Sequence, residues 1–264
     1  MKTFEVRRDN VYYYEEFDWA KANLAVNLQE KVQMILELIP SDVKSVLDVG
    51  CGDGTISNIL SERYTVIAVD RSPNALQFVK APRLLASAHQ MGIKEQAFDL
   101  VFSSEMLEHL PDPIFDKAIS EIQRVSRKYI MFTFPNEENI DKGLVECPEC
   151  RYRFNKIYHL RSLNQKYIAD LLPEFLVVKS FAFSSKIRRY NPFLLKIKHN
   201  LSPSDSWIPP NWTRNGNRKT ACPNCGNSFE IPYKFNIIAR ICDLMNILFS
   251  PKKPYQLFVL LKKK

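Results

Sequence analysis

Val46-Leu47-Asp48-Val49-Gly50-Cys51-Gly52-Asp53-Gly54 is followed after a short interval by Val66-Ile67-Ala68-Val69-Asp70. The first stretch starts as an apolar strand with an acid near its end and then places three glycines at alternate positions. Thr55-Ile56-Ser57-Asn58-Ile59-Leu60 reads as the start of a helix. Glycines allow a tight turn with positive φ and let a ligand approach where a Cβ would stand. The helix start behind them offers unpaired N–H groups to an anionic group. A second strand ending in Asp70 puts a carboxylate where two ribose hydroxyls can donate to it. Together these features describe a nucleoside-binding site at the carboxyl ends of parallel strands.

The glycine spacing narrows the choice. A dinucleotide fingerprint requires G-x-G-x-x-G and a P-loop requires Gly-Lys-Ser/Thr after the turn; Gly50, Gly52 and Gly54 fit neither. The motif acid-x-G-x-G-x-G resembles the first motif of the class I S-adenosylmethionine (SAM)-dependent methyltransferases. The resemblance runs from about Ser45 to Pro135, with a closing strand at Tyr255 to Leu261. Phe98-Asp99-Leu100-Val101-Phe102 is similar to that family's fourth strand. Ser104-Glu105-Met106-Leu107-Glu108-His109-Leu110-Pro111-Asp112-Pro113 is similar to its "LEHLxDP" segment. The resemblance implies a Rossmann-like, doubly wound α/β fold: a mostly parallel seven-stranded sheet, here carrying an insertion.

It also implies roles for particular residues. Gly50, Cys51, Gly52 and Gly54 would line the methionine end of SAM, with Asp48 supporting the loop or meeting the amino group. Asp70, with Arg71 beside it, would hold the ribose. Where the family often has an acid for the adenine amino group, this chain has Ser87, followed by Ala88. Ser103 and Ser104 would face the methionine carboxylate or the sulfonium, or stand as ordinary polar residues at a strand end. His109 is the candidate general base, having a side chain suited to proton transfer near neutral pH. Its alternative is a structural histidine on a helix face. Glu105 and Glu108 are further candidates as bases or orienting groups. His159 and Arg161 are read either at the mouth of the active site or, for His159, within a metal unit.

Cys147-Pro148-Glu149-Cys150 and Cys222-Pro223-Asn224-Cys225-Gly226 use four of the six cysteines. Two intervening residues let both thiolates of a pair reach one tetrahedral ion, and two pairs complete a four-cysteine zinc site. The C-P-x-C form resembles zinc knuckles. Redox C-x-x-C usually opens a helix, whereas Cys147 lies in a loop-like stretch. A site closed by four thiolates has no open position, so the expected role of Zn2+ is structural. Cys51 and Cys242 are expected to be small buried residues.

At 264 residues and 45% hydrophobic content, the chain suits one α/β domain with an insertion. No apolar run reaches the roughly 18 residues of a membrane span, and Met1-Lys2-Thr3-Phe4-Glu5-Val6 lacks a signal-peptide core. The expected location is the cytosol, where cysteines stay reduced and serve metals more often than disulfides.

Along the chain, residues 1–44 form an aromatic leader, Tyr12 to Trp19, and a helix from Leu24 to Ile39 ended by Pro40; the family resemblance implies that they lie over the cofactor site, and a simple packing role is the alternative for the leader. Residues 45–183 form the SAM-binding core with the first cysteine pair. Strands alternate with helices there, which implies a parallel sheet covered on both faces. Residues 184–254 form a basic insertion with the second pair, and 255–264 the closing strand. Charge concentrates at that end: residues 180–264 hold 15 Lys+Arg and 3 Asp+Glu, a balance of +12, within a chain of net +8.

The basic clusters are interleaved with Tyr190, Phe193, Trp207 and Trp212. Such surfaces bind RNA by phosphate contact and stacking, grip a phosphorylated or nucleotide-linked sugar, meet anionic lipid headgroups, or are simply solvated. No helix-turn-helix, RNA-recognition or KH signature accompanies them, and no DNA partner is expected. Asn236 to Phe249 carries a broad apolar stripe with Lys252 and Lys253 beyond it. Packing onto the sheet or zinc unit is the first expectation for this stripe, and peripheral membrane docking the second. The expected function is methyl transfer to a small-molecule or glycan-related acceptor, phosphorylated or not. RNA methylation and a non-catalytic SAM-binding scaffold are the alternatives.

Overall fold

The structure, a computed structural model, describes residues 28–212 and 218–264. The aromatic leader and Arg214 lie outside the described residues. Helix α1 (Leu28–Leu38) precedes β1 (Ser45–Val49), α2 (Thr55–Leu60), β2 (Thr65–Asp70), α3 (Pro73–Leu76), β3 (Arg83–Leu85) and β4 (Phe98–Ser104). There follow α4 (Asp112–Val125), β5 (Ser126–Pro135), β6 (Leu144–Glu146), β7 (Arg153–Asn155), α5 (Gln165–Leu171) and β8 (Phe175–Arg188). The chain closes with α6 (Pro192–Leu201), β9 (Lys219–Ala221), β10 (Ser228–Glu230), α7 (Ile237–Phe249) and β11 (Lys252–Lys263).

Seven strands form one sheet in the order β3-β2-β1-β4-β5-β11-β8. The first five are parallel, and β11 runs antiparallel to both neighbours. The continuous apolar character of β1 and β4 follows from burial on both faces. Alternation sends Leu47, Val49 and Val101 into one core layer with Phe132 and Ile122. Val46, Leu100 and Phe102 enter the other with Ile35 and Met131. Helix α4 shows how the sequence directs this packing. Pro113 suits a first turn, and Phe115, Ala118, Ile119, Ile122 and Val125 recur at helical spacing and are all buried.

Strand order reverses between β1 and β4, so a crevice opens beyond their carboxyl ends. Both cysteine pairs lie in chain that leaves this edge, one after β5 and one between β8 and β11. The pairing of β8 with β11 continues past the expected strand ends, through Lys186 opposite Pro254 to Arg188 opposite Lys252. A separate small core unites the two cysteine segments: Val145, Cys147, Phe154, Tyr158, Trp207, Ile208, Cys222 and Ile231. Tyr158 bridges them directly, donating its hydroxyl to the Ala221 carbonyl at 2.7 Å and accepting from the Ala221 N–H at 2.9 Å.

The apolar stripe of α7 does not pack where the first expectation placed it. Ala239, Cys242 and Asn246 face inward, while Ile237, Ile241, Leu244, Leu248 and Phe249 are exposed. The inner side of the helix is occupied by polar pairing instead. Asp243 accepts from Lys198 Nζ at 2.7 Å and from the Tyr190 hydroxyl at 2.8 Å. Asn246 donates to the Arg189 carbonyl and accepts from the Asn191 N–H. Cys242 is buried as expected, whereas Cys51 is only partly so. Among the described residues, no helix is long and apolar enough to cross a membrane.

Candidate active site

Gly50, Gly52 and Gly54 have φ of 74°, 56° and 74°, the left-handed region that L side chains rarely adopt. At Gly50 a Cβ would lie 2.6 Å from Met106 Sδ, and at Gly54 2.7 Å from Val79 Cγ2. Glycine is therefore required at these two positions by the protein's own packing as well as by the turn. The turn hangs on the two acids. Asp70 accepts from the Gly52 N–H at 2.8 Å and the Ser72 N–H at 2.9 Å. Two N–H donors leave carboxylate lone pairs available for further hydroxyls. Arg71 stands close enough to oppose the upward shift that burial imposes on the Asp70 carboxyl.

Asp48 is buried beneath the turn and accepts from Ser57 Oγ at 2.5 Å. A cleft of about 130 Å3 is lined by Asp48, Gly50, Cys51, Asp53, Thr55 and Ser104, among others. Asp53 Oδ2 in this cleft and Ser103 Oγ at the end of β4 are buried with no hydrogen-bond partner among the described residues. Such orphaned atoms call for a polar ligand, so this donor set fits a group with amino and carboxylate ends. Ser104 Oγ pairs with Thr133 Oγ1 at 2.8 Å. Ser87 shares its hydroxyl with His89 Nδ1 at 2.7 Å, and Ala88 is packed in the core with Met91. The burial of Cys51 pushes its thiol up, which keeps it protonated beside the two acids.

Burial pushes the Asp48 carboxyl up to about 7 against the hydrogen bond from Ser57. The folded state thus holds a proton that an unfolded Asp loses near pH 4, and stability falls as pH rises from about 4 to about 7. Asp48→Asn keeps an oxygen for Ser57 and removes this penalty. Urea unfolding without ligand is expected to show the variant more stable by roughly 1–3 kcal/mol at pH 8 and level with the parent at pH 4. An equal difference at both pH values would refute the assignment.

Beyond β4 the chain turns back through Glu105, whose φ of 53° is unusual for a non-glycine residue. Its carboxylate accepts from Lys31 Nζ at 3.4 Å and Thr133 Oγ1 at 3.3 Å. Leu107 to His109 form a single helical turn, tied to the segment after β7 by the Leu160 N–H donating to the Glu108 carbonyl at 2.7 Å. Three side chains converge there: Glu108, His109 and His159 offer polar atoms all within 4.8 Å of one another. Burial and the nearby Glu105 push the Glu108 carboxyl well up, so it stands as the neutral acid. Burial, and then His159, hold His109 well below the usual histidine range. The two rings meet edge-on with centroids 4.6 Å apart. His159 Nδ1 is hydrogen-bonded to Glu138 Oε2.

His159 thus meets His109, but Arg161 does not accompany it. Arg161 is held by Asp112 at 2.7 Å and lies over the Phe115 ring. His159 also forms the wall of a cavity of about 910 Å3. The chain between β5 and α5 forms a first insertion that lines this cavity through Glu138, Asn155 and His159, and the basic insertion forms a second that lines it through Arg189, Tyr190 and Lys196. Sequence reasoning missed Glu138, for which no spacing signal exists, since its pairing with His159 depends on how the first insertion folds.

The four paired cysteines come together across the insertions. Cys147 Sγ lies 3.7 Å from Cys225 Sγ, and Cys150 Sγ 3.5 Å from Cys222 Sγ. All four sulfurs lie within 4.8 Å of one another. Zinc–sulfur bonds of about 2.3 Å in a tetrahedron place sulfurs about 3.8 Å apart, so the cluster has the size of such a site. Burial alone would raise the Cys150 thiol, but hydrogen bonds from Asn224, the Tyr152 backbone and neighbouring thiols bring it down to about 6.

The fold is the Rossmann-like fold of the class I methyltransferases, with the glycine turn and Asp70 at the switch point. Residues 47–131 match the family model described as a methyltransferase domain. Among curated proteins, the ubiquinone biosynthesis O-methyltransferase of Nitrosomonas europaea is 37% identical over 82 residues, covering 26% of this chain and 34% of the relative. That of Nitrosospira multiformis is 35% identical over 143 residues, covering 49% of this chain and 52% of the relative. The chain thus spans about half, or less, of the length of these relatives.

Among solved structures, a SAM-dependent methyltransferase from Archaeoglobus fulgidus matches with TM-score 0.55 and 16% identity, over 89% of this chain and 93% of that one. A protein from Pyrococcus horikoshii matches with TM-score 0.56 and 12% identity, over 96% and 98%. At these identities the likeness concerns the fold.

Proposed function

We propose that this chain is a SAM-dependent methyltransferase acting on a small-molecule or glycan-related acceptor, with a phosphate or similar anionic group on that acceptor met by the basic insertion. The observation that supports it is the contact between His109, in the single turn that follows β4, and His159, in the wall of the large cavity. The names of the two curated relatives favour a hydroxyl as the accepting group.

In this reading Asp48, Gly50, Cys51, Gly52, Gly54, Ser103 and Ser104 hold the methionine end of SAM. Asp70 and Arg71 hold the ribose, and Ser87 and Ala88 border the adenine. When bound, SAM supplies an activated methyl group, the S–C bond breaking as the bond to the acceptor oxygen forms. His109 receives the acceptor's hydroxyl proton. His159, anchored at Nδ1 by Glu138, fixes the edge-on pose of the His109 ring, and Glu105 orients the acceptor. Arg189 and Lys196, from the second insertion, meet the anionic group. Cys147, Cys150, Cys222 and Cys225 hold a structural Zn2+ that binds the two insertions together. The proposed location is the cytoplasm.

The test is transfer of radiolabelled methyl from SAM into a cell extract separated into RNA, protein, lipid and small molecules. Label in the small-molecule or lipid-linked sugar fraction is the expected result, and label removed by nuclease overturns the acceptor assignment. With an acceptor in hand, His109→Gln should lower kcat by about 10²–10⁴-fold, the usual worth of a positioned base. SAM affinity should be unchanged in the same variant. Full activity would remove His109 from the reaction.

A further inference from the structure

Helix α7 presents to solvent a face that a folded chain ordinarily hides. Leu248 is 76% exposed, Phe235 68%, Ile237 61%, Phe249 61%, Ile241 52% and Leu244 47%. These residues lie within fifteen positions of one another, and the adjoining α6 adds the exposed Phe193 and Leu201. Contiguous apolar surface of this kind marks an interaction site, unlike singly scattered residues.

Charge on and around the face says what covers it. Arg240 and Lys252 are exposed beside the apolar side chains, Lys196 stands on α6, and Lys234, itself exposed, is paired with Asp205 at 3.4 Å. The sole acid from 231 to 252 is Asp243, and it is turned inward to Lys198 and Tyr190. Apolar residues ringed by long cationic side chains fit the boundary of an anionic bilayer, where hydrocarbon takes the first and lipid phosphate the second. The cations can extend to the phosphate while their stems stay on apolar surface.

Position adds a second argument. Strand β11 is antiparallel to β5, with Gln256 opposite Pro135, so its Lys252 end and α7 lie toward the carboxyl edge of the sheet. The cofactor cleft opens at that same edge. The start of α6 lines the large cavity through Pro192, Leu195 and Lys196. A bilayer against α7 would therefore lie beside the cavity.

We propose that the exposed face of α7, continued by Phe193 and Leu201 of α6, docks this protein peripherally on an anionic membrane. Docking stands independently of the methyl-transfer reading, because it depends on surface alone.

The experiment is flotation of the full chain with vesicles of phosphatidylglycerol and phosphatidylcholine, compared with vesicles of phosphatidylcholine alone. Wild-type protein is expected to float with the anionic vesicles and to bind the neutral ones at least about tenfold more weakly, given about 1 kcal/mol for each basic residue near such a surface. Ile241→Glu with Leu248→Glu should abolish flotation, and Ile241→Ser with Leu248→Ser should weaken it with an unchanged melting temperature. Protein that stays in solution with anionic vesicles overturns the proposal. So does a wild-type dimer that the serine pair dissociates, since a second copy would then be the occupant. Flotation with no methyl transfer would leave docking in place and count only against the proposed enzyme.

Discussion

Cys222→Ser is expected to strip the metal from the protein and unfold the joint between the two insertions. Cys222 is buried within the small core that also holds Cys147, Phe154, Tyr158 and Trp207, so one thiol would serve both packing and the proposed ligation. Structural zinc contributes on the order of 10–16 kcal/mol in isolated modules, and a variant that loses the ion loses that local contribution whole. Elemental analysis should find one zinc per wild-type chain and almost none in the variant. Limited proteolysis should then cut the variant between 189 and 251, while the sheet stays intact and SAM still binds. A chelator should reproduce the effect in the wild type. Purified wild-type protein with no zinc and no response to chelation would end the metal assignment.

The second large effect is expected at Asp70. Its carboxylate anchors the glycine turn through Gly52 and Ser72, and the proposed ribose contacts would add two hydroxyl donors to a charged acceptor. Hydrogen bonds to charged groups are worth about 1.5–3 kcal/mol each. Asp70→Ala should therefore weaken SAM binding by about 10²–10⁴-fold in calorimetric titration, and lower the melting temperature as the Gly52 and Ser72 N–H groups lose their acceptor. Asp70→Asn retains one acceptor oxygen but not the charge, and should fall between the two. A loss below about fivefold for the alanine variant would remove Asp70 from the ribose site.

The parts of this protein that were legible in the sequence are those set by neighbours in the chain. The glycine turn, its flanking strand and the helix after it are local, because φ at Gly50, Gly52 and Gly54 is decided by steric contacts within a few residues. The spacing inside each C-P-x-C pair is local for the same reason. The β-α alternation gave the parallel sheet, since every strand buried on both faces must read as a continuous apolar run. Helix α4 could be placed from its periodicity alone.

What escaped depends on which side of an element meets the rest of the molecule. The stripe on α7 has the periodicity of a buried face, but periodicity does not say whether protein or something else covers it. The structure gives the inner side to Asp243 and Asn246, whose partners Lys198, Tyr190 and Asn191 come from α6 and the chain leading into it, remote in sequence. Arg161 and His159 are two residues apart yet diverge, one onto Asp112 and Phe115, the other onto His109 and Glu138.

The sequence by itself determined the sheet, the turn at its switch point and the four thiols available to a metal, because each follows from short-range sterics and the burial of apolar runs. Only the tertiary structure decided that the two cysteine pairs meet, that His159 reaches His109 and that α7 keeps its apolar face outward. Those outcomes rest on contacts between segments tens of residues apart, and long-range contacts are selected by the packing of the whole chain.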